Sequence, residues 1–410
     1  MNAAMLPSSV IVLQQEFRAE LSAIADWWAS HTIDQQQGGF YGEVGADNLP
    51  VPSASKGIIL NARILWFFSE TAQQINNPVY RDCAERAYHY LCANFFDDVH
   101  GGVYWELDAA GAPINTKKQV YAQAFTIYAL CAYYQLTGDA QALARALECF
   151  QLVEQHAIDH THHGYLEAFT RDWGVIEDLR LSDKDLNYPK SQNTHLHILE
   201  AYTTLYQAQP SAEIRAALQY NIEMFDRYMI DRNTHHLRMF MDLQWKDFSP
   251  GYTYGHDIEA SWLIAKALES LGDEAYTRAL TPTLIRIAEV TLQEGIGELG
   301  QVVDSYDFAS ATVNNDTVWW VQAEALVGFL YAYSVSGEQK YFAAAEAVWA
   351  FIKKYQIDNE AGEWLWLSRL HAPSATPYYK VGFWKCPYHN GRAMMEAIRY
   401  LQGDASVHTT

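Results

Sequence analysis

Apolar residues recur along this chain at the three- and four-residue spacing of α-helices. Between residues 13 and 31 they fall on one stripe, as expected for a helix that buries a single face. The stripe consists of Leu13, Phe17, Leu21, Ile24, Ala25 and Trp28. Other segments, such as YAQAFTIYALCAYY from Tyr121 and WWVQAEALVGFLYAY from Trp319, are apolar on nearly every side. The pattern therefore predicts two kinds of helix, one half-exposed and one covered all round.

A short extended segment with a turn residue comes before each helix of the second kind. The turn residues are Gly39, Gly102, Gly164, His236, Gly300 and Gly362. They are separated by 63, 62, 72, 64 and 62 residues, which indicates six copies of one structural unit. Glycine suits a turn that needs a positive φ, so we expect small hairpins at these positions.

Each unit thus contains a hairpin, an inner helix, a connection and an outer helix. Twelve helices in this alternation close most simply into an all-α (α/α)6 barrel. An open solenoid would need a polar-faced cap at each end, whereas the last inner helix, NGRAMMEAIRYL, is no more polar than the others. We predict a single (α/α)6 barrel domain over residues 1–410, with short rim hairpins and a polar loop, residues 178–192, over its mouth.

Composition restricts the partners and the compartment. The chain has 28 basic and 49 acidic residues and a net charge of −21, which disfavours nucleic acids and anionic membranes as partners. No segment approaches the roughly 18 consecutive apolar residues of a membrane span. The five cysteines lack metal-site spacing, and the amino terminus lacks the pattern of a signal peptide. We expect a cytoplasmic protein, monomeric or homodimeric, with reduced thiols.

Polar and aromatic residues recur where the inner helices begin, and in a closed barrel these positions surround one depression. They include Tyr121, Asn193, His256, Trp319 and His389. Glu259 lies at i+3 from His256, and His197 at i+4 from Asn193, so each pair shares a helix face. The partial positive charge of a helix amino end disfavours imidazolium, which would leave the histidines neutral and able to act as bases near pH 7.

These residues also have structural explanations. Asn193 is a residue type that caps helices, and His256 could bond only to backbone at a helix start. His195 points away from the face of Asn193, so we expect it to be structural. Arg63 lies in an apolar helix, where a charge needs a partner or a purpose. Trp384 offers a flat face on which a sugar could stack.

Metal binding and glycoside hydrolysis are two alternatives that the pattern disfavours. His195 and His197 diverge on a helix, no HExxH motif occurs, and no carboxylate cluster is evident beside the histidines, so we expect neither a metal ion nor a cofactor. A hydrolase would need two carboxylates that flank the glycosidic bond. Asp257, Glu259 and Glu324 are available for that role, but the histidines are more conspicuous.

Six segments together resemble the N-acylglucosamine 2-epimerase superfamily, most closely its cellobiose 2-epimerase branch. They are LNARILWFF, KQVYAQAFTIYAL, NTHLHILEAYTTLY, YGHDIEASWLI, WWVQAEALVGF and GFWKCPYHNGRA, and the likeness covers about residues 35–400. The superfamily fold is an (α/α)6 barrel. The resemblance implies an isomerase that reversibly inverts C2 of a reducing-end aldose, without metal or nucleotide.

By position in these motifs, the resemblance also implies roles for individual residues. His256 and His389 match two acid/base histidines on opposite faces of the sugar, and His197 a histidine that assists ring opening. Arg63 would hold the oxygens of the enediolate. Glu259 matches a carboxylate that supports the site. The substrate contacts are Tyr121, Asn193, Trp319 and Trp384.

The substrate remains open at this point. Cellobiose- or lactose-type disaccharides are favoured, but a D-mannose/D-glucose 2-epimerase or an aldose–ketose isomerase would share the enediolate. A non-catalytic sugar-binding barrel and a glycoside hydrolase are more distant alternatives. Two bases on opposite faces explain inversion, because a single base that returns its own proton restores the starting configuration. As the pH is lowered, activity should begin to fall before about pH 5 is reached, because the base histidine becomes protonated.

Overall fold

The described residues form twelve α-helices, which alternate along the chain between an outer and an inner ring. The computed structural model describes residues 8–371 and 378–407. Its helices are α1 (Ser8–His31), α2 (Ile58–Gln74), α3 (Pro78–Asn94), α4 (Val120–Thr137), α5 (Ala140–His156), α6 (Gln192–Ala208), α7 (Ala212–Met224), α8 (Tyr254–Leu271), α9 (Glu274–Val290), α10 (Trp319–Ser336), α11 (Gln339–Phe351) and α12 (His389–Val407). The predicted (α/α)6 barrel is confirmed.

The even-numbered helices form the inner ring, because their apolar surface extends around the whole helix. In α4 every residue from Val120 to Tyr133 is buried. Successive inner helices pack against one another from α2 to α12. The ring closes where Gly391 of α12 meets the ring of Phe67 in α2, and a Cβ at Gly391 would lie only 2.3 Å from that ring. Glycine is therefore needed for the two helices to approach.

The outer helices bury one stripe each and expose the other side. In α1 the predicted stripe faces the core, with Phe17, Leu21 and Ile24 each 1% exposed. Each inner helix packs against the outer helix that follows it, and α12 packs against α1. The first and last helices of the chain are thus neighbours. In the described part of the chain, no helix is both long and apolar enough to cross a membrane.

Short antiparallel hairpins lie on the rim at which the inner helices begin. The strands are β1 (Lys56–Gly57), β2 (Glu106–Leu107), β3 (Pro113–Asn115), β4 (Lys118–Gln119), β5 (Ala168–Phe169), β6 (Lys190–Ser191), β7 (Phe240–Met241), β8 (Gly251–Thr253), β9 (Ser305–Asp307) and β10 (Thr312–Asn314). They pair as β1-β2-β3, β4-β5, β6-β7 and β10-β9-β8. Five of the six repeat positions are glycines with positive φ, and in the fourth unit His235 adopts φ 65° instead. The predicted rim hairpins are confirmed.

In four units, a polar side chain near the start of an inner helix bonds to the backbone of the preceding hairpin. The pairs are Gln123 with Val103, His195 with Tyr165, Asp257 with Leu237 and Gln322 with Val302. These bonds satisfy backbone groups that are buried at the junction of hairpin and helix. The structural role predicted for His195 is confirmed.

Candidate active site

All nine sequence-predicted site residues line one cavity of about 490 Å³ at the amino ends of the inner helices. They are Arg63, Tyr121, Asn193, His197, His256, Glu259, Trp319, Trp384 and His389. Residues 181–185, from the loop predicted to cross the barrel mouth, line the same cavity. The predicted convergence is therefore observed, because every inner helix starts at this end of the barrel.

The rings of His256 and His389 both lie close to the indole of a third aromatic residue, Trp320. The ring centroids of Trp320 and His256 are 4.7 Å apart, and those of Trp320 and His389 are 5.6 Å apart. A Cβ at Gly255 would lie 2.5 Å from Trp320, so glycine allows the indole to approach α8. Sequence reasoning chose Trp319 from the Trp-Trp pair and missed Trp320, although both line the cavity.

His256 is the third residue of α8 and is held through one ring nitrogen. Its Nδ1 lies 2.6 Å from Oγ1 of Thr253, the residue before the helix. The other nitrogen, Nε2, remains for a ligand in the cavity. Burial lowers the pKa of His256 from 6.5 to about 4, so the ring is neutral at pH 7. The sequence argument expected neutrality from the helix end, and burial acts in the same direction.

His389 is the first residue of α12 and is held by a carboxylate. Its Nδ1 lies 2.6 Å from Oε1 of Glu324 in α10. Burial, together with the nearby guanidinium groups of Arg63 and Arg392, lowers the pKa of His389 well below its usual value. Both histidines therefore present a neutral imidazole near pH 7, but the group that contacts Nδ1 differs between the two rings.

His197 lies one turn deeper, on α6. Its Nδ1 is 3.2 Å from Oε2 of Glu200, and its ring meets the Tyr121 ring edge to face, with centroids 4.9 Å apart. Burial lowers the pKa of His197 as well. The His197 imidazole is thus a neutral hydrogen-bonding group at the floor of the cavity.

Arg63 supplies a positive charge and forms no ion pair with a carboxylate of the described residues. Its guanidinium donates a 2.8 Å hydrogen bond to the Tyr121 hydroxyl and lies 4.2 Å and 4.5 Å from the ring centroids of Phe125 and Tyr388. The Arg63 Nε–H has no partner among the described residues. Aromatic faces hold the group in place while its charge remains available to a ligand.

Three glutamates converge on Arg392 beneath the histidines, a cluster that the sequence pattern did not reveal. Arg392 donates hydrogen bonds to Glu200, to Glu259 and, at 2.7 Å, to Glu324. The expectation of no carboxylate cluster was wrong, because α6, α8, α10 and α12 each contribute one residue at the same depth. The available signal was Arg392 itself, an arginine inside an apolar helix, as Arg63 is.

The cluster does not have the chemistry of a metal site. Ligand atoms of Glu259, Glu324 and His389 lie within 4.8 Å of one another. The guanidinium of Arg392 donates to both carboxyl groups, so a positive charge already lies between them. A cation would have to displace a buried arginine, and the residues present therefore do not fit a metal ion.

The same geometry bears on hydrolysis. Glu259 and Glu324 bond to one nitrogen of Arg392, so they lie side by side and do not face each other across the cavity. Asp257 bonds to His236 and to the Leu237 backbone outside the cavity lining. The carboxylates considered from the sequence thus form no pair that could flank a glycosidic bond.

The remaining predicted residues form the walls of the cavity. Asn193 does not cap α6, as the structural alternative proposed, because Ser191 accepts the capping bond from the Thr194 N–H. The Asn193 Oδ1 is buried without a partner among the described residues. Trp384 lies with its ring centroid 6.1 Å from that of Tyr121.

Aromatic residues that sequence reasoning missed extend the wall near Trp319. The ring centroids of Trp319 and Trp366 are 4.4 Å apart, and Trp366 stacks on Tyr378 at 5.3 Å. The signal for Trp366 is the segment AGEWLWL, which the sequence pattern assigns only to a rim hairpin. The cavity mouth thus combines flat apolar faces with polar groups below.

Comparisons with known proteins agree with this fold. The family model for N-acylglucosamine 2-epimerase (GlcNAc 2-epimerase) matches residues 39–380. A cellobiose 2-epimerase from Bacteroides fragilis is 40% identical over 388 residues, which cover 94% of this chain and 99% of the relative. A cellobiose 2-epimerase from Dictyoglomus turgidum is 38% identical and covers 95% of this chain and 99% of its own. The structure of cellobiose 2-epimerase from Bacillus thermoamylovorans is 35% identical, with a TM-score of 0.89, and the match covers 95% of this chain and 99% of that one.

Proposed function

The chain belongs to the N-acylglucosamine 2-epimerase family and is an isomerase, and on this basis we propose that it inverts C2 of the reducing-end sugar of cellobiose- or lactose-type disaccharides. The observation that carries the proposal is the placement of His256 and His389 in one cavity, with both rings close to the indole of Trp320. Two neutral imidazoles that reach one carbon from opposite sides are what inversion at that carbon requires.

The reaction begins with opening of the sugar ring, because C2 becomes acidic only when C1 is a free aldehyde. His197, bonded through Nδ1 to Glu200, takes or gives the proton of an anomeric oxygen during this step. Tyr121 and Asn193 hold other hydroxyls, and the unpartnered Asn193 Oδ1 is an acceptor for one of them.

Removal of the C2 proton then produces an enediolate. One histidine takes this proton through its free Nε2, and the negative charge that develops on the sugar oxygens is stabilised by Arg63. A fixed cation in a buried site stabilises developing charge strongly, since it needs no reorganisation as the charge appears. The second histidine returns a proton to the opposite face and completes the inversion.

The substrate assignment rests on the walls of the cavity and on the relatives. A volume of about 490 Å³ lies within the roughly 300–1,000 Å³ range of small-molecule sites. Trp384, Trp319 and Trp366 provide flat faces beyond the histidines, where a second sugar ring can stack. A D-mannose/D-glucose 2-epimerase or an aldose–ketose isomerase would use the same polar residues at the bottom of the cavity. The three tryptophans favour a disaccharide, because a monosaccharide has no second ring to stack on them.

The test is incubation of the protein with cellobiose, lactose, glucose and mannose separately in deuterium oxide, followed by NMR. We expect cellobiose and lactose to yield disaccharides with mannose at the reducing end and deuterium at C2. Faster conversion of glucose and mannose would favour the monosaccharide epimerase, and a ketose product the isomerase. Release of free monosaccharides from cellobiose would indicate a hydrolase, and absence of any C2 exchange would reduce the site to sugar binding.

A further inference from the structure

The ionic layer beneath the two histidines contains more carboxylates than cations. The carboxylates are Glu200, Glu259 and Glu324, and the cations are Arg63 and Arg392. All five side chains are at most 5% exposed. The two guanidiniums lie 4.5 Å and 4.2 Å from the ring centroid of Tyr388. With neutral histidines, three carboxylates against two cations leave one buried negative charge, which is strongly unfavourable.

One additional proton would neutralise this layer, and the contacts indicate where it resides. Glu200 accepts hydrogen bonds from Arg392 and from the Tyr388 hydroxyl. Although burial opposes the shift, Arg392 and His197 lower the pKa of Glu200 to about 2, so Glu200 is ionised. Burial and the charge of Glu259 raise the pKa of Glu324 well above its usual value, although Arg392 opposes the shift. The proton therefore belongs to Glu324 and its partner His389.

We propose that Glu324 stores this proton and passes it to Nδ1 of His389 when Nε2 of His389 protonates the sugar. The contact that permits the transfer is the 2.6 Å separation of Glu324 Oε1 and His389 Nδ1. Glu324 is thus a positioning residue that also holds the proton used by the acid. The inference rests on the proposed C2 epimerisation and adds a proton source to it.

The transfer balances as follows. At the start, Glu324 is a neutral carboxylic acid whose O–H donates to bare Nδ1, and Nε2 of His389 carries a hydrogen. The electron pair of the enediolate takes the Nε2 proton and forms the C2–H bond, while Nδ1 takes the Glu324 proton. At the end, Glu324 is a carboxylate that accepts from the Nδ1–H, and Nε2 is bare. In reverse, bare Nε2 takes the C2 proton and Glu324 recovers its own.

This arrangement explains how a histidine with a strongly lowered pKa can act as an acid. A lone imidazole at this position would carry little imidazolium at pH 7, since burial and two guanidiniums disfavour it. With Glu324 as the store, the imidazole is neutral before and after the transfer. His256 differs because the Thr253 hydroxyl can donate or accept but has no readily released proton.

The test uses Glu324→Gln, which keeps a hydrogen-bonding group beside Nδ1 but has no releasable proton. Two rates are measured in deuterium oxide for each epimer of cellobiose: exchange of the C2 proton and formation of the other epimer. We expect epimer formation to fall at least about 100-fold, the range associated with loss of general acid catalysis. Exchange should persist for the epimer whose C2 proton faces His256, because His256 can return a deuteron to the same face.

A purely structural role for Glu324 would lower exchange and inversion together for both epimers, and that result would overturn the proposal, as would inversion at the wild-type rate. Wild-type protein that neither exchanges nor inverts any of the four sugars would instead overturn the proposed function. The two failures are therefore distinguishable.

Infrared difference spectra provide a readout that does not depend on turnover. Wild type minus Glu324→Gln at pH 7 should show the carbonyl band of a protonated carboxylic acid, and a carboxylate band in its place would contradict the proposal. Glu70→Gln is the matched control. Glu70 lines a separate cavity at the other end of the barrel, and burial raises its pKa to about 7. This variant should lose its own protonated-acid band at pH 6 and epimerise at the wild-type rate.

Discussion

At the scale of single residues, His256 and His389 differ in the hydrogen-bond partner of the ring nitrogen Nδ1. His256 is held by a hydroxyl and His389 by a carboxyl group, and desolvation in the cavity lowers the pKa of both rings. The environment of each side chain, and not its residue type, thus determines its proton affinity. Three of our predictions concern single residues of the cavity.

The first prediction concerns the paired histidines. His256→Ala and His389→Ala should each reduce turnover of cellobiose at least about 100-fold, because each variant lacks the proton-transfer group on one face of C2. Turnover is measured by NMR, and circular dichroism at the same protein concentration checks that the helical content is unchanged. Near-normal turnover in either well-folded variant would contradict the pairing.

The second prediction concerns pH. The lowered pKa of His256 means that its neutral base form persists below pH 6.5, so the acid limb of kcat/KM should have its midpoint near pH 4. The sequence alone predicts a decline that begins above about pH 5, whereas burial of His256 moves the expected midpoint to lower pH. Initial rates are measured between pH 3.5 and 8, with circular dichroism to exclude acid unfolding. A midpoint near 6.5 would show that the ring is more solvated than in this structure.

The third prediction concerns the aromatic wall. Trp384→Ala should raise KM for cellobiose roughly tenfold more than KM for glucose, since aromatic contacts contribute about 0.5–1.5 kcal/mol beyond buried area. The control is Trp245→Ala, because Trp245 stacks on Tyr228 at 4.5 Å and lies outside the cavity lining. The control should lose stability and keep the ratio of the two KM values. Equal losses for both sugars in Trp384→Ala would refute stacking of the second ring.

At the scale of elements, close packing between inner helices positions the site. Gly255 in α8 admits the indole of Trp320 from α10, and Gly391 in α12 admits Phe67 from α2. The glycines have no left-handed backbone at these points, so their role is space alone. The repeat explained the turn glycines from the sequence, but it did not identify these two packing positions.

A fourth prediction tests this packing. Gly255→Ala should lower kcat at least about tenfold, because the new Cβ would lie 2.5 Å from Trp320 and must displace the indole that packs near both histidines. Unfolding in urea should change by no more than about 1–3 kcal/mol, the usual range for overpacking. The control is Gly337→Ala, where φ is 71° and a Cβ meets nothing within 4 Å. That variant should lose about 1 kcal/mol of stability and retain kcat; unchanged kcat in Gly255→Ala would contradict the argument.

At the scale of the whole molecule, the first and last units hold each other in place. α1 packs against α12, and side chains of α1 also bond to the hairpin of the sixth unit and to α11, the outer helix of the fifth unit. Glu20 accepts from the Trp364 indole at 2.7 Å, and Glu16 accepts from the Trp349 indole at 2.6 Å. A ring joined in this way has no free end from which units could unfold one after another, in contrast to an open repeat array.

The fifth prediction follows from ring closure. We propose that the chain is one domain, so thermal unfolding should be a single transition that coincides by far-ultraviolet circular dichroism and tryptophan fluorescence. Glu20→Gln, which keeps a hydrogen-bonding group for Trp364, serves as a mild control and should shift that transition without splitting it. Two separate transitions in the unmodified protein would show that part of the barrel unfolds independently.

The sequence by itself determined the features that depend on local periodicity. Apolar spacing predicted the helices, and the six-fold repeat predicted the barrel. The phase of the inner helices predicted that seven of the nine site residues share one cavity, and the family resemblance added Arg63 and Trp384. Only the tertiary structure decided which groups form hydrogen bonds and ion pairs with those residues. The buried ionic cluster comes from four inner helices, and its successive members are roughly sixty residues apart in the chain: Glu200, Glu259, Glu324 and Arg392. Contact between them depends on how the four helices are aligned along the barrel axis. Burial, and with it the pKa of each histidine, is likewise a property of the assembled barrel.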